Sequence, residues 1–278
     1  MTPPTLSDLL IGGRPNFAGI VRLAQSIRAD ISNPPSGPLD IELLSHCWRC
    51  EVVPSFGLSH GLPAFSLGLL IPQSGAPHRF RVVYNSELPS RLRRLTVAHE
   101  LMHTLFYSRA GTPARLNKGG SKEEETFCDR LAEELLLPSS TTPRLRNLAD
   151  VRSVADEHQV PYDLVTKRYF WTGDHVWDLV AALRWDKGQP RSHRSGTFRI
   201  QWHLARQSFV IRDGMPVYSP QLHRALVSGS HVSTTEPLKV NGRSIGALHS
   251  ALGLDDGSIL VGVSHEGILK DQSFPVES

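Results

Sequence analysis

Apolar residues recur at helical spacing from the start of the readable pattern. In residues 16–32 (NFAGIVRLAQSIRADIS) Ile20, Leu23, Ala24 and Ile27 fall on one face and predict an amphipathic helix. A Pro-Pro-Ser-Gly-Pro connector breaks the pattern, and LDIELLSHCWRCEVVPSF then predicts a short helix turning into a strand near residues 51–54. FSLGLLIP and FRVVYN are rich in β-branched, aromatic and leucine side chains between turn formers, and predict strands. In SELPSRLRRLTVAHELMHTLFYSRAG, the residues Leu92, Leu95, Ala98, Met102, Leu105 and Phe106 form a broad apolar face, which predicts a long helix ending at Gly111. A polar, glycine-bearing loop follows. EEETFCDRLAEELLLP predicts a second helix, with acidic residues suiting its N-terminal dipole and Pro138 as its stop.

Residues 142–170 predict two or three short helices, the last opened by Pro161. DKGQPRSHRSGT (186–197) reads as a linker. Beyond it, FRIQWHL, QSFVIRDG, MPVYS and SILVGVS are strand candidates around a helical PQLHRALVSG. The pattern predicts an α+β chain in three segments: residues 1–140 with the long helix and its partner, a helical unit at 141–185, and a small α+β module at 195–278.

Composition narrows the class. At 278 residues, 40% hydrophobic and 21% charged, the chain has material for more than one core. A formal charge of +3 is too small to demand nucleic acid as a partner. No apolar run approaches the ~18 residues that span a bilayer, so no membrane partner is expected. The N-terminal stretch has no signal-peptide pattern, and three cysteines (Cys47, Cys50, Cys128) are too few for a disulfide framework. The expectation is a cytoplasmic protein.

The chemistry concentrates in LTVAHELMHTLF, residues 95–106. On a helix, His99 and His103 stand one turn apart on one face and can offer two imidazole nitrogens to one zinc ion. Glu100 is rotated roughly 100° from His99, where it reaches a water at the metal without ligating it. A zinc ion lowers the pKa of such a water to about 7, and Glu100 then serves as general base and acid. This is the mechanical content of the His-Glu-x-x-His motif. A catalytic zinc takes a third protein ligand, and the second helix offers Glu123, Glu124, Glu125, Asp129, Glu133 and Glu134. Glu125 and Asp129 form an i, i+4 pair in which one can ligate while the other orients a histidine, whereas Glu133 and Glu134 read as solvent-facing. Helical geometry alone leaves the choice open, since an acidic first turn also serves the dipole.

TVAHELMH followed by ETFCDRLAEELLLP resembles the ImmA/IrrE family of bacterial metallopeptidases. That family carries a Glu-x-x-Ala/Cys-Asn/Asp block ending in Leu-Leu-x-Pro. The resemblance spans roughly residues 40–170 and puts the third ligand on Glu125, with Cys128 and Asp129 at the small and Asn/Asp positions. Leu131 stands where the family often has phenylalanine, and Glu133 where it usually has a small residue. The resemblance implies a zincin-like fold for residues 1–140, with His99, His103 and Glu125 as ligands, Glu100 as catalytic residue and Asp129 in support. It implies zinc as the ion, with manganese as the alternative in the cell. It further implies a site-specific endopeptidase that cleaves a helix-turn-helix transcriptional repressor and so derepresses a stress, DNA-damage or mobile-element regulon. IrrE-like relatives carry a GAF-like sensor domain, and residues 195–278 are expected to be such a regulatory or docking module. The competing reading is a DNA-binding regulator acting without proteolysis. A monomer is the expected state.

Other features carry less. CWRC has zinc-knuckle spacing but no second ligand pair, so Cys47 and Cys50 read as buried structural residues. Tyr107, one turn past His103, could face an oxyanion, yet packing explains it better. Arg109 and Arg115 read as a solvated loop. Residues 148–170 resemble a helix-turn-helix with Lys167 and Arg168 on its second helix, but its basic residues are sparse. The strand FRVVYN offers an edge to which an extended peptide substrate could add.

Overall fold

The computed structural model describes residues 10–11, 14–31, 37–55, 66–74, 78–108, 115, 122–141, 148–172, 177–186, 197–205, 211–229, 231–233, 237–240, 242–254 and 258–264. Of the expected linker at 186–197, residues 187–196 lie outside them, and its two ends belong to strands. The chain gathers into two compact units, one of Met1–Pro143 with Ala155–Pro161, the other of Arg144–Val154 with Tyr162–Ser278. Helices and strands are mixed throughout, as an α+β chain requires. No described helix is long and apolar enough to cross a membrane.

In the first unit a small hairpin, β1 (Leu10–Ile11) with β2 (Arg14–Pro15), precedes helix α1 (Phe17–Ile31). The predicted face of α1 is the buried one: Ile20, Leu23, Ala24 and Ile27 are all at most 6% exposed. Helix α2 (Ile41–Cys47) begins where the Asp40 carboxylate accepts the Leu43 N–H at 2.8 Å, satisfying one orphan donor of the first turn. Strands β3 (Cys50–Ser55), β4 (Gly68–Pro72) and β5 (Phe80–Asn85) form a sheet ordered β3-β5-β4, with β3 parallel and β4 antiparallel to β5. FRVVYN is therefore the central strand, with Val82 and Val83 buried, and the edges of this sheet are β3 and β4 among the described strands.

Helices α3 (Ser90–His103) and α4 (Lys122–Leu136) pack together, with Phe106 and Phe127 in edge contact at 5.6 Å between ring centroids. The apolar side of α4 (Phe127, Cys128, Leu131, Leu135) is fully buried. Helix α3 is shorter than its pattern predicted. It ends at His103, passes through a 3-10 turn over Thr104–Phe106, and Tyr107 leaves in extended conformation. The Thr104 hydroxyl donates to the Leu101 carbonyl at 2.7 Å, one of the side-chain bonds that compete with helix continuation. Tyr107 then pairs with Arg115 in an isolated antiparallel bridge.

Helices α5 (Leu148–His158) and α6 (Tyr162–Thr172) are joined by three residues, with Gln159 in the left-handed region at φ 55°. Strands β6 (Leu179–Asp186), β7 (Thr197–Ala205), β8 (Pro216–Tyr218), β9 (His231–Ser233), β10 (Pro237–Val240), β11 (Arg243–Gly253) and β12 (Ser258–Ser264) follow, with helix α7 (Pro220–Ser228) between β8 and β9. Their order is β10-β8-β7-β6-β12-β11-β9, and β10 also pairs with β11. The antiparallel sheet therefore closes on itself, and the short β9 shares with β10 one edge of the long β11. Leu179, Ala181, Leu183, Phe198, Ile200, Ile259, Val261 and Val263 fill the interior, joined by Leu222 and Ala225 of α7. Helix α7 starts at the Ser219 cap and stops at Gly229, whose φ of 59° suits glycine. FRIQWHL, MPVYS, PQLHRALVSG and SILVGVS take their predicted forms. Of QSFVIRDG, residues 207–210 lie outside the described residues, while 211–214 run into a turn rather than a strand.

Candidate metal centre

The i, i+4 spacing on α3 does what helical geometry requires: His99 and His103 present their Nε2 atoms to one point, 3.1 Å apart. Helix α4 brings the Glu125 carboxylate to the same point. Its oxygens stand 3.3 Å from His99 Nε2 and 3.7 Å from His103 Nε2. Among the described residues, these three form the group of ligand atoms that could hold a metal ion, all within 4.8 Å of one another.

The far side of each imidazole is also engaged. His99 Nδ1 lies 2.8 Å from Asp129 Oδ1, and His103 Nδ1 lies 2.8 Å from Glu124 Oε1. An ionised carboxylate can only accept, so each Nδ1 donates, and in the neutral imidazole each Nε2 keeps its lone pair. In that state two imidazole lone pairs and a carboxylate converge, an arrangement that favours a cation at their centre. Ligands about 2.0–2.1 Å from a tetrahedral zinc stand about 3.3 Å apart, close to the separations here, and N/N/O donors suit that ion. The donor set fits a divalent metal.

Glu100 faces the same cavity of about 270 Å³, which β4 roofs with Gly68, Leu69 and Leu70. The Leu70 N–H hydrogen-bonds the Glu100 carboxylate. Burial pushes that carboxyl above the usual range, with the two histidines opposing and Glu125 adding to the rise. Gly68 makes the approach of β4 feasible: a Cβ there would lie 2.7 Å from Thr96 Cγ2 and 2.9 Å from Glu100 Cγ. For His99, burial works against the imidazolium, but the Asp129 hydrogen bond and the carboxylates of Glu100, Asp129 and Glu125 outweigh it and raise the pKa. For Glu124 burial works upward, and hydrogen bonds from Arg115 and His103 outweigh it and lower the pKa.

Residues 70–170 match the family model Peptidase_M78, described as the IrrE N-terminal-like domain. This match supports an ImmA/IrrE assignment for that segment. The matched segment contains every residue of the centre except the roof residues of β4 that precede Leu70. A peptidase family and a candidate triad of metal ligands together support a metal-dependent peptidase. No curated protein matches the chain. Among solved structures, a Mycobacterium tuberculosis transcriptional regulator aligns with 88% of this chain and 76% of its own, at 12% identity and a TM-score of 0.40. A likeness that distant carries no argument.

The ImmA/IrrE block ETFCD resolves into three environments: Glu125 turns to the ion position, Cys128 is buried, and Asp129 meets His99. Burial raises the Cys128 thiol far above its ordinary value, in keeping with packing. Several sequence expectations need correction. Glu134 is 1% exposed, not solvent-facing, and accepts both the Ser139 N–H and hydroxyl at 2.8 Å. Tyr107 is on the extended bridge rather than the helix, and it lines the cavity. Arg115 lines the cavity too, while Arg109 lies outside the described residues. Cys50 is buried, its thiol pushed up to about 12 by burial, but Cys47 is exposed. Lys167 pairs with Asp163 at 2.9 Å and lies 5.8 Å from the Trp202 ring centroid. The histidine partner that sequence reasoning missed is Glu124.

Proposed function

We propose that this chain is a site-specific, metal-dependent endopeptidase whose substrate is a helix-turn-helix transcriptional repressor. The observation that carries the reading is the convergence of three lone-pair donors beside Glu100, with both histidine Nδ1 atoms held by carboxylates. His99, His103 and Glu125 hold the ion, zinc in the first instance and manganese as its alternative in the cell, and Asp129 steadies His99. A divalent ion there supplies Lewis acidity. Glu100 takes the proton of the attacking water and delivers it to the leaving amine, a role its raised pKa suits. Among the described strands nothing pairs with the outer edge of β4, so an extended peptide can add there, beside Glu100.

The repressor as substrate, and a regulon of stress, DNA-damage or mobile-element genes as the output, are supported by the match of residues 70–170 to the IrrE N-terminal-like domain. In this reading residues 141–185 and 195–278 serve docking or regulation, the latter in the role of a GAF-like module, and the protein works as a cytoplasmic monomer. The test combines metal analysis with incubation against repressors encoded beside the gene. Zinc and cleavage should vanish together in His99→Ala, and Glu100→Ala should keep metal but lose cleavage. A biological response unchanged by Glu100→Ala would hand the case to a DNA-binding regulator, and duplex binding over a salt series would then test that regulator.

A further inference from the structure

The two histidines are supported unequally. Asp129, behind His99, has a side chain 63% exposed to water. Glu124, behind His103, is 2% exposed and is itself gripped. Arg115 Nη2 donates to Glu124 Oε2 at 2.7 Å and also to Oε1, so both carboxylate oxygens are fixed by one guanidinium. Arg115 is anchored in turn. Its backbone forms the bridge with Tyr107, its Nη1 donates to the Tyr107 hydroxyl at 3.1 Å, and its guanidinium lies 5.0 Å from the Tyr107 ring centroid.

One guanidinium nitrogen thus spans both carboxylate oxygens while the other is tied to the Tyr107 hydroxyl, so the planar group is held at two points, which a single ammonium cannot reproduce. With both oxygens held by Arg115, Oε1 remains aimed at His103 Nδ1, and the ring is fixed with Nε2 toward the ion position. We infer that Arg115 is a positioning residue of the metal centre, acting through Glu124 to hold His103 in ligating orientation, with Tyr107 as its anchor. The inference rests on the reading of His99, His103 and Glu125 as metal ligands. Arg115, eight residues beyond Tyr107, completes the support that α3 and α4 leave unfinished.

The test measures metal affinity of the full chain by competition with a chromophoric chelator, and the visible spectrum of the cobalt(II)-loaded protein. Losing an outer partner of a ligating histidine typically weakens binding about 10–100-fold, and that loss is expected for Arg115→Met. A shifted cobalt spectrum should accompany it, while Arg130→Met, on the same α4 and paired with Glu133, should leave both readouts unchanged. Arg115→Lys should recover part of the affinity but not all, because it restores the charge beside Glu124 without the second nitrogen that ties the group to Tyr107. Because the action runs in series, Arg115→Met combined with Glu124→Gln should bind no more weakly than Glu124→Gln alone. Wild-type affinity and spectrum in Arg115→Met, or losses that multiply in the double variant, would overturn the inference. If Arg115→Met fails to fold, Arg115→Gln decides: weaker binding supports the role, and wild-type affinity overturns it. His99→Ala separates the two levels. If it binds zinc as tightly as the wild type, the metal-centre reading falls and takes this inference with it. If it loses zinc while Arg115→Met keeps it, the inference alone falls.

Discussion

Gly68→Ala probes how β4 is held against α3. The added methyl would stand 2.7 Å from Thr96 Cγ2, 2.9 Å from Glu100 Cγ and 3.0 Å from Glu100 Oε1. Carbon atoms in contact prefer about 3.5–4.0 Å, so the Thr96 contact alone is short by about 0.8 Å or more. Thr96 cannot easily yield. It is β-branched, 6% exposed, and its hydroxyl donates to the Leu92 carbonyl at 2.9 Å. Relief must come from moving β4 away from α3 or from rotating Glu100, and either one stretches the bond from the Leu70 N–H. Overpacking of this kind costs about 1–3 kcal/mol of stability. A reacting group displaced by about 1 Å costs on the order of 100-fold in rate. The candidate metal ligands sit on α3 and α4, so metal affinity should stay within about two-fold of wild type. The expected signature is a lowered Tm, retained metal and about 100-fold slower cleavage of the proposed substrate. Full turnover in Gly68→Ala would refute the claim that the close approach of β4 positions Glu100.

Asp129→Ala should weaken metal binding by about 10–100-fold through loss of the His99 partner, and unchanged affinity in a chelator competition would count against that role. Glu100→Gln should bind metal as the wild type does and slow cleavage by about 100–10,000-fold, as read from initial rates. Glu134→Ala strips the Ser139 N–H and hydroxyl of their acceptor and should cost about 1–3 kcal/mol in a urea titration. Burial holds the His158 imidazole below its ordinary value of 6.5, with Arg28 adding to the effect and Glu157 opposing it. The unfolded chain therefore binds the proton more readily. Stability should be full above pH 6.5 and fall as the pH drops from there toward the lower folded value. His158→Met should flatten that slope, and a slope that survives the substitution belongs to other groups.

Much of the metal centre was legible because it is local. Two histidines one turn apart and a glutamate beside the first need only a helix to acquire their geometry, and Glu125 with Asp129 repeats the device on α4. Glu124 was equally within reach. It lies on the stripe of Phe127, Cys128 and Leu131, and a carboxylate on a buried stripe must have partners. The run of three glutamates hid it, because an acidic first turn is already explained by the helix dipole. Arg115 had no such signal, since its contact with Glu124 is tertiary and no local periodicity reports it.

The fold divides along the same line. Strands that alternate or are rich in β-branched residues, such as β5 and β12, show in their own sequence. Strand β6 does not: Val180 and Ala182 are as buried as Leu179, Ala181 and Leu183, so both of its faces are covered and the period-two signal is erased. In β11 (RSIGALHSALG), glycine, serine and alanine depress strand propensity, and the strand is held instead by pairing with β12, β9 and β10. What closes the sheet is the return of β10 to β11, just as what completes the metal centre is the return of Arg115 to Glu124. A periodic pattern reports which face of an element is buried. Which distant residue comes to meet that face is decided by the packing of the whole unit, and so the candidate ligands and Asp129 could be placed from the chain while the contact of Arg115 with Glu124 could not.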